Sequence, residues 1–383
     1  MGNRQSGIRK AGDAWAEALA VPAIRALRAY DPGHDLVALR RRFAPRVLLE
    51  LGSNENPYGP SPRAREAVVG VLDELHRYPD PLGGDLKRAL AARHGLDAAQ
   101  IILGNGSHEL LMQLAQAFAG PGVDVVMSQF GFAVFSIATQ AVGATPRVAP
   151  ALPRDAAMPR GHDLATIQAA ITPATRLVYL ANPNNPTGTW FPPEVFAAFM
   201  ARVPGDVVVV VDEAYAEVAT AADFSSALPL LGAHRNLVVT RTFSKAYALA
   251  GLRIGYAIAH PDLVAVLERV RESFNLNAAA LAAAEAALGD DDHLRSTTVR
   301  NTEQREALAQ ALRMRGWAVS PSQTNFLLVE FGTRTSRIEA ALLADGIVLR
   351  PMGGYGLPEC SRISVGNADE NRRLLAALDA IGA

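Results

Sequence analysis

Lys245 lies in a sequence setting that can make a lysine nucleophilic. It follows the apolar run 237–240, which has the composition of a buried strand, and it has apolar neighbours. Burial disfavours the charged ammonium, lowers its pKa and leaves a free amine that can act as a nucleophile. Ser244 precedes the lysine and Arg253 follows it, and a hydroxyl and a guanidinium group can both bind a phosphate. Taken alone, Lys245 could also be a surface lysine after a strand.

Asp212 and Tyr215 follow a second predicted strand. The valine run 207–211 directly precedes the aspartate. In open α/β sheets ligands bind beyond the carboxyl ends of the strands, and a buried carboxylate there needs a cationic partner. A protonated pyridine nitrogen would serve as that partner and would keep a cofactor ring able to accept electrons. The alternatives are an aspartate that caps a helix and a tyrosine that packs in the core.

Two loops add further candidate ligands. Residues 181–188 contain two prolines and a glycine, which make the loop rigid, and Asn185 within it could hydrogen-bond a hydroxyl group of a planar ligand. Residues 104–109 lead into the helical run 110–118, where glycines expose backbone amides that can bind an anion. A dinucleotide-binding fingerprint would have glycine where Glu109 stands, which disfavours a nicotinamide dehydrogenase.

A mainly parallel sheet is needed to bring these residues together. Valine-rich runs bounded by turn residues alternate with helical patterns, which predicts an α/β fold. Strands are predicted over 123–127, 177–180, 207–211, 237–240, 324–329, 346–349 and 361–365. Helices are predicted over 64–76, 84–93, 110–118, 261–274, 278–288, 298–315 and 369–381. The proline-rich segment 146–159 is predicted to be a surface loop.

Size and charge exclude several classes of protein. A chain of 383 residues exceeds one hydrophobic core, so two lobes are expected. The formal net charge of −1 favours neither nucleic acid nor an anionic membrane, so local arginines must bind any anionic substrate. Cys360 is the one cysteine, and we predict neither a disulfide nor a bound metal. We expect no signal peptide and no membrane span, and therefore a cytoplasmic protein.

Three of the motifs together resemble the class I and II aminotransferases of fold type I. They are Asn-Pro-x-Asn-Pro-Thr-Gly, Asp-Glu-x-Tyr and Ser-Lys-x-x-x-Leu-x-Gly-x-Arg-x-Gly, and the resemblance runs from about residue 21 to the end of the chain. It implies pyridoxal 5′-phosphate as cofactor, a large lobe with a mainly parallel, seven-stranded type of sheet between helices, and a smaller α+β lobe. We expect an N-terminal arm over 1–60 that joins the small lobe, a cofactor-binding domain over 61–280 and a small domain over 281–383.

The resemblance implies a role for each candidate residue around the cofactor. Lys245 would hold the cofactor covalently and later move a proton. Asp212 would pair with the pyridinium nitrogen. Tyr215 and Asn185 would hydrogen-bond the cofactor's 3-oxygen, which is attached to the ring and is called the ring oxygen below. Phe130 would stack on the ring, where the family often has a tyrosine. The phosphate would be bound by Gly106, Ser107, Ser244 and Arg253.

Other segments resemble the branch of this family that acts on histidinol phosphate. They are 22–27, 51–60, 77–80, 346–352 and 361–366. Tyr78 would reach the phosphate in the partner subunit's site, which implies a homodimer with shared active sites. Arg362 would bind the α-carboxylate of glutamate, and Arg350, Tyr58 and Asn56 would bind the phosphate end of the substrate.

The implied reaction converts histidinol phosphate and 2-oxoglutarate into imidazole acetol phosphate and glutamate. An aromatic-amino-acid aminotransferase or an amino-acid-phosphate decarboxylase with the same fold is the alternative, since a few pocket residues separate these enzymes. A regulatory protein without catalysis is disfavoured, because residues 1–50 are too short and irregular for a DNA-binding domain and Lys245 is intact.

Overall fold

Helices and strands alternate over most of the chain. The computed structural model describes residues 15–29, 33–44 and 47–382. The helices are Trp15–Leu19 (α1), Pro22–Ala26 (α2), Leu36–Phe43 (α3), Pro62–Gly70 (α4), Gly84–His94 (α5), Ser107–Phe118 (α6), Ala133–Ala141 (α7), Leu164–Ala169 (α8), Pro193–Met200 (α9), Pro261–Leu267 (α10), Ala278–Leu288 (α11), Asp291–Met314 (α12), Thr335–Ala344 (α13) and Ala368–Ala380 (α14). The strands are Leu49–Glu50 (β1), Ile101–Gly104 (β2), Asp124–Ser128 (β3), Thr145–Ala149 (β4), Thr175–Ala181 (β5), Val208–Asp212 (β6), Leu237–Thr242 (β7), Gly255–Ala259 (β8), Ala318–Val319 (β9), Phe326–Glu330 (β10), Ile347–Val348 (β11), Arg350–Pro351 (β12) and Cys360–Ser364 (β13).

The large lobe is built on a seven-stranded sheet in the order β2-β8-β7-β6-β5-β3-β4. Strand β8 is antiparallel to both neighbours, and the other pairings are parallel. Successive valines of β6 pack alternately into two cores, one on each face of the sheet. Burial on both faces explains the continuous valine run, and the predicted α/β fold is confirmed.

The structure differs from the predictions for several individual elements. The segment 146–159 was predicted to be a loop, yet Pro146 lies in β4, which is an edge strand and therefore tolerates a residue without an N–H donor. Helix α10 ends at Leu267 and does not continue to Phe274, because residues 268–273 are mostly charged and do not continue its apolar face. Strands β2 and β8 were not predicted; each contains a terminal glycine, Gly104 or Gly255, which weakens the sequence signal of a strand.

The last third of the chain forms a smaller α+β lobe. Its antiparallel sheet has the order β12-β13-β10-β9 and packs with α12, α13 and α14 around a separate core. Strand β1 pairs in parallel with β11, so the end of the N-terminal segment joins this lobe. The division at residues 60 and 280 remains our proposal. Among the described residues, no helix combines the length and apolar character needed to cross a membrane.

Candidate active site

A cavity of about 330 Å³ lies at the carboxyl edge of the large sheet, against the small lobe. Strands β5 and β6 end there in register, with Ala181 opposite Asp212, and β7 ends nearby at Thr242. Eight of the predicted site residues line this cavity: Ser107, Asn185, Asp212, Tyr215, Ser244, Lys245, Arg253 and Arg362. The topology therefore brings together residues that are up to 255 positions apart, from Ser107 to Arg362.

Lys245 presents its amine inside this cavity. Its Nζ donates to the backbone oxygen of Asn54 at 3.3 Å and lies 5.9 Å from the centre of the Tyr215 ring. Burial, and after it the positive charge of Arg362, lowers the pKa of Lys245 to about 8. The opposing attraction of Glu55 and Asp212 is weaker. At neutral pH, about one unit below this pKa, roughly a tenth of the amine is uncharged and able to attack an electrophile, far more than for an ordinary solvated lysine.

Asp212 is the last residue of β6, and its side chain is buried. Thr240 on the adjacent strand donates to its Oδ1 at 2.9 Å. Burial raises the pKa of Asp212 to about 6, although the hydrogen bond from Thr240 opposes this shift. A buried carboxylate with a raised pKa favours a cationic partner, and a protonated ring nitrogen in the cavity would restore its charge.

One end of the cavity is suited to a phosphate. Helix α6 begins there at Ser107, and its N-cap is Gly106, which has no side chain to satisfy the first amides. Ser244 accepts a hydrogen bond from Arg253 Nη1 at 3.3 Å, which places a hydroxyl beside a guanidinium group. A Cβ on Gly106 would lie 2.4 Å from Arg253 Nη2, and one on Gly255 would lie 2.6 Å from the Ser107 amide nitrogen. Gly255 is required because the backbone at the start of the helix lies so close to it, and Gly106 because its φ of +78° is a conformation that other residues rarely adopt.

The other side of the cavity is formed by a network between the lobes. Arg362 on β13 donates from Nη1 to Asn185 Oδ1 at 2.7 Å and from Nη2 to the Gly52 oxygen at 2.9 Å. Asn54 donates from Nδ2 to the Tyr215 hydroxyl at 2.9 Å. With its oxygen bound by Arg362, Asn185 retains its amide nitrogen as a donor for a ligand oxygen.

Phe130 does not line the cavity, and its assignment as the ring-stacking residue is corrected. It packs against Leu328, Met352 and Cys360 of the small lobe, and its backbone oxygen accepts from Asn184 Nδ2 at 2.9 Å. Phe132, two residues further on, lines the cavity in its place. The reason is tertiary: the small lobe provides an apolar pocket for the first of the two rings.

The three weaker substrate candidates and the predicted partner-site tyrosine also lie outside the cavity lining. Asn56 donates to the backbone oxygens of Lys245 and Ala246 at 3.3 and 3.0 Å, so it holds the backbone of the lysine. The ring of Tyr58 lies beneath Arg300, with 5.3 Å from the guanidinium carbon to the ring centre. Arg350 lines an adjoining cavity of about 640 Å³. Tyr78 is 81% exposed and stacks on Phe274 at 4.5 Å.

Three residues of the site were not identified from the sequence. Thr240 is a polar residue at an inward position of a buried strand, and that position could have indicated it. Asn54 has φ +55°, a conformation that asparagine adopts more readily than most residues. Phe132 has no sequence signal that separates it from Phe130.

The arrangement combines a nucleophilic amine, a buried carboxylate, a phosphate cradle and a second anion-binding arginine. An amine in this setting can capture a carbonyl compound covalently. The phosphate cradle and Asp212 would then fix the two ends of a planar, phosphorylated ring that carries a basic nitrogen. Arg362 would bind an anionic substrate on the opposite side of the lysine.

Comparisons with known proteins agree with this chemistry. The sequence profile of aminotransferase class I and II matches residues 46–378. Histidinol-phosphate aminotransferase 2 of Methylococcus capsulatus is 46% identical over 363 residues, which cover 95% of this chain and 98% of the relative. The enzyme of the same name from Pseudomonas aeruginosa is also 46% identical, over 94% of this chain and 97% of the relative.

A solved structure shows the same architecture. The histidinol-phosphate aminotransferase of Sinorhizobium meliloti, in complex with pyridoxal-5′-phosphate, superimposes with a TM-score of 0.86 at 34% identity. The match covers 94% of this chain and 97% of that one. The profile match, the sequence identity to these relatives and the shared fold show that the chain belongs to the class I and II aminotransferases.

Proposed function

We propose that this chain is a pyridoxal-phosphate-dependent transaminase that interconverts histidinol phosphate and 2-oxoglutarate with imidazole acetol phosphate and glutamate. The observation that carries the proposal is the position of Lys245, whose partly buried amine lies in one cavity with Asp212, Arg253 and Arg362. Relatives that cover nearly the whole chain bear the name of this activity. A cytoplasmic location is part of the proposal.

The residues present fit pyridoxal phosphate. Ser107, Ser244 and Arg253 would hold its phosphate at the start of α6, where Gly106 leaves room for the guanidinium group. Asp212 would face its ring nitrogen, and Asn185 and Tyr215 would donate to its ring oxygen. Phe132 would cover one face of the ring. When bound, the cofactor supplies an electron sink for the carbon from which a proton is removed.

The protein's own groups then have separate tasks. The Lys245 amine takes the proton from the substrate's α-carbon and returns it, since its lowered pKa allows both protonation states. The carboxylate of Asp212 keeps the ring nitrogen protonated, and Thr240 fixes the carboxylate's orientation. Asn56 holds the lysine backbone, so that the amine approaches from a defined direction.

The two substrates place a particular demand on the anion-binding side. Histidinol phosphate carries a phosphate and no carboxylate, whereas glutamate carries two carboxylates. A guanidinium group can bind either anion through two parallel hydrogen bonds. Arg362 beside the lysine and Arg350 in the adjoining cavity provide two such groups, and Phe132 lines both cavities.

We further propose a homodimer with shared active sites. Tyr78 does not line its own chain's cavity and is 81% exposed, yet its ring is held by stacking on Phe274. Phe274 has φ +56°, an unfavourable conformation for a bulky residue. Further exposed apolar side chains flank Tyr78 in the sequence, at Val69, Leu72, Leu75 and Leu82. A second copy of the chain would cover these side chains. Tyr78 would then reach the phosphate-binding end of the second copy's cavity.

A single-turnover substrate panel tests the proposed function. Protein loaded with pyridoxal phosphate is mixed separately with histidinol phosphate, phenylalanine, tyrosine and threonine phosphate, and the cofactor absorbance is followed. We expect histidinol phosphate to convert the bound cofactor to its amine form fastest, and 2-oxoglutarate to restore it. Rapid conversion by phenylalanine or tyrosine but not by histidinol phosphate would identify an aromatic aminotransferase.

A further inference from the structure

Asn54 makes contacts with both reactive side chains of the cavity, although it lies in a loop before α4. Its side-chain Nδ2 donates to the Tyr215 hydroxyl at 2.9 Å, and its backbone oxygen accepts from Lys245 Nζ at 3.3 Å. The same backbone oxygen accepts from Asn325 Nδ2 at 2.9 Å, and the Asn54 amide donates to Ser364 Oγ at 2.8 Å. Two small-lobe residues therefore clamp the backbone while the side chain turns to Tyr215.

The direction of the Asn54–Tyr215 hydrogen bond determines where the tyrosine's proton can go. A phenol has one O–H donor and accepts through its oxygen. Because Asn54 donates to that oxygen, the Tyr215 proton is left for another acceptor. Burial raises the pKa of Tyr215, so the hydroxyl keeps this proton at neutral pH. Tyr215 lines the cavity, and a ring oxygen bound there is the acceptor that our proposed function provides.

The backbone of Asn54 is held in an uncommon conformation that favours this geometry. Its φ of +55° lies in the left-handed region, and the residue is only 2% exposed. Asparagine and glycine enter this region at lower cost than other residues. Glycine at position 54 would therefore keep the backbone contacts to Lys245 and Asn325 and remove only the amide side chain.

We propose that Asn54 is a positioning residue that directs the Tyr215 proton toward the ring oxygen of the bound cofactor. The inference rests on the proposed function, because it requires pyridoxal phosphate in this cavity. A hydrogen bond donated by the Tyr215 hydroxyl to the ring oxygen stabilises the deprotonated state of the bound cofactor, which is the chromophore. Loss of the Asn54 amide frees the hydroxyl to rotate, weakens that donation and raises the pH at which the chromophore loses its proton.

The test is an absorbance titration of the cofactor-loaded protein. Asn54→Gly should raise the titration midpoint by roughly half to one pH unit, which corresponds to one weakened hydrogen bond. Tyr215→Phe should raise it at least as far. If Asn54 acts through Tyr215, the double variant should match Tyr215→Phe alone. Ser364→Ala is the control, since it disturbs the same loop through the Asn54 amide without touching the Tyr215 hydroxyl.

The possible outcomes separate this inference from the proposed function. A wild-type midpoint for Asn54→Gly beside a shifted Tyr215→Phe would overturn the inference and leave the proposed function intact. So would additive shifts in the double variant, or a Ser364→Ala shift as large as that of Asn54→Gly. A wild-type titration midpoint in Tyr215→Phe would also overturn the inference, because the group that Asn54 positions would then have no effect on the cofactor's titration. Wild-type protein that binds no cofactor would refute the proposed function itself.

Discussion

Arg350 and Arg362 lie directly opposite each other on the antiparallel strands β12 and β13. Opposed residues of an antiparallel pair project to the same face of the sheet, and like charges in this arrangement repel each other. Arg362 lines the active-site cavity and Arg350 the adjoining one. A guanidinium group binds a phosphate or a carboxylate, so two arginines on one face support the proposal that the enzyme accepts both anions.

Replacement of the two arginines should affect the two half-reactions differently. Arg362→Ala should damage both, because this residue lies beside Lys245 and would serve each substrate. Arg350→Ala should slow the reaction with histidinol phosphate more than the reaction with glutamate. Each lost charge-assisted contact should cost about 1.5–3 kcal/mol in a site that excludes water. Single-turnover rates with each substrate measure the effects, and equal losses from both substrates in Arg350→Ala would contradict the assignment.

Asp212→Asn should fold normally and lose most of its activity. The amide keeps the shape of the side chain but cannot hold a ring nitrogen protonated, so turnover should fall at least ~10- to 100-fold. Thr240→Val is the matched variant, since it removes the 2.9 Å hydrogen bond and leaves the carboxylate; its loss should be smaller. Turnover and thermal unfolding of both variants provide the check. Near-normal turnover of Asp212→Asn would reduce Asp212 to a structural residue.

Capture of the cofactor by the apoprotein should depend on pH through Lys245. Burial and then Arg362 lower the pKa of this lysine from 10.5 to about 8, and the deprotonated amine is the reactive form. The capture rate should therefore rise with pH and level off above about 8. Arg362→Gln removes a positive charge and should move the midpoint to higher pH. Rapid-mixing absorbance measurements follow the rate, and a rise that continues to about pH 10 would indicate an ordinary, solvated lysine.

The sequence predicted the strand-end residues of the site better than its loops. Asp212 and Lys245 follow buried strands, and the carboxyl ends of parallel strands meet at one edge, so their proximity follows from topology. Phe130 and Phe132 could not be told apart, because contacts with Leu328 and Met352 of the small lobe decide which ring is withdrawn from the cavity. The hydrogen bond from Asn54 to Tyr215 spans 161 positions and has no local sequence signal.

The shared-site proposal predicts complementation between two defective variants. The Tyr78→Ala subunit cannot provide the tyrosine that contacts the phosphate in its partner's active site. The Lys245→Ala subunit lacks the nucleophile of its own active site. Each heterodimer of the two should contain one intact site, so equal mixing should restore about a quarter of the wild-type sites if subunits exchange freely. Activity before and after denaturation and refolding of the mixture measures the gain. Full activity in a stable monomer would refute shared sites, and each variant refolded alone is the control.

The central claim, that Lys245 holds the cofactor, is tested most directly by borohydride reduction and peptide mapping. The chain has only three lysines, Lys10, Lys87 and Lys245, so the attachment site can be assigned without ambiguity. Lys87 is engaged by Glu268 at 2.7 Å and does not line the cavity. We predict that the reduced cofactor is found on Lys245 alone and that Lys245→Ala retains none. A label on Lys10 or Lys87, or a labelled and active Lys245→Ala, would contradict the account.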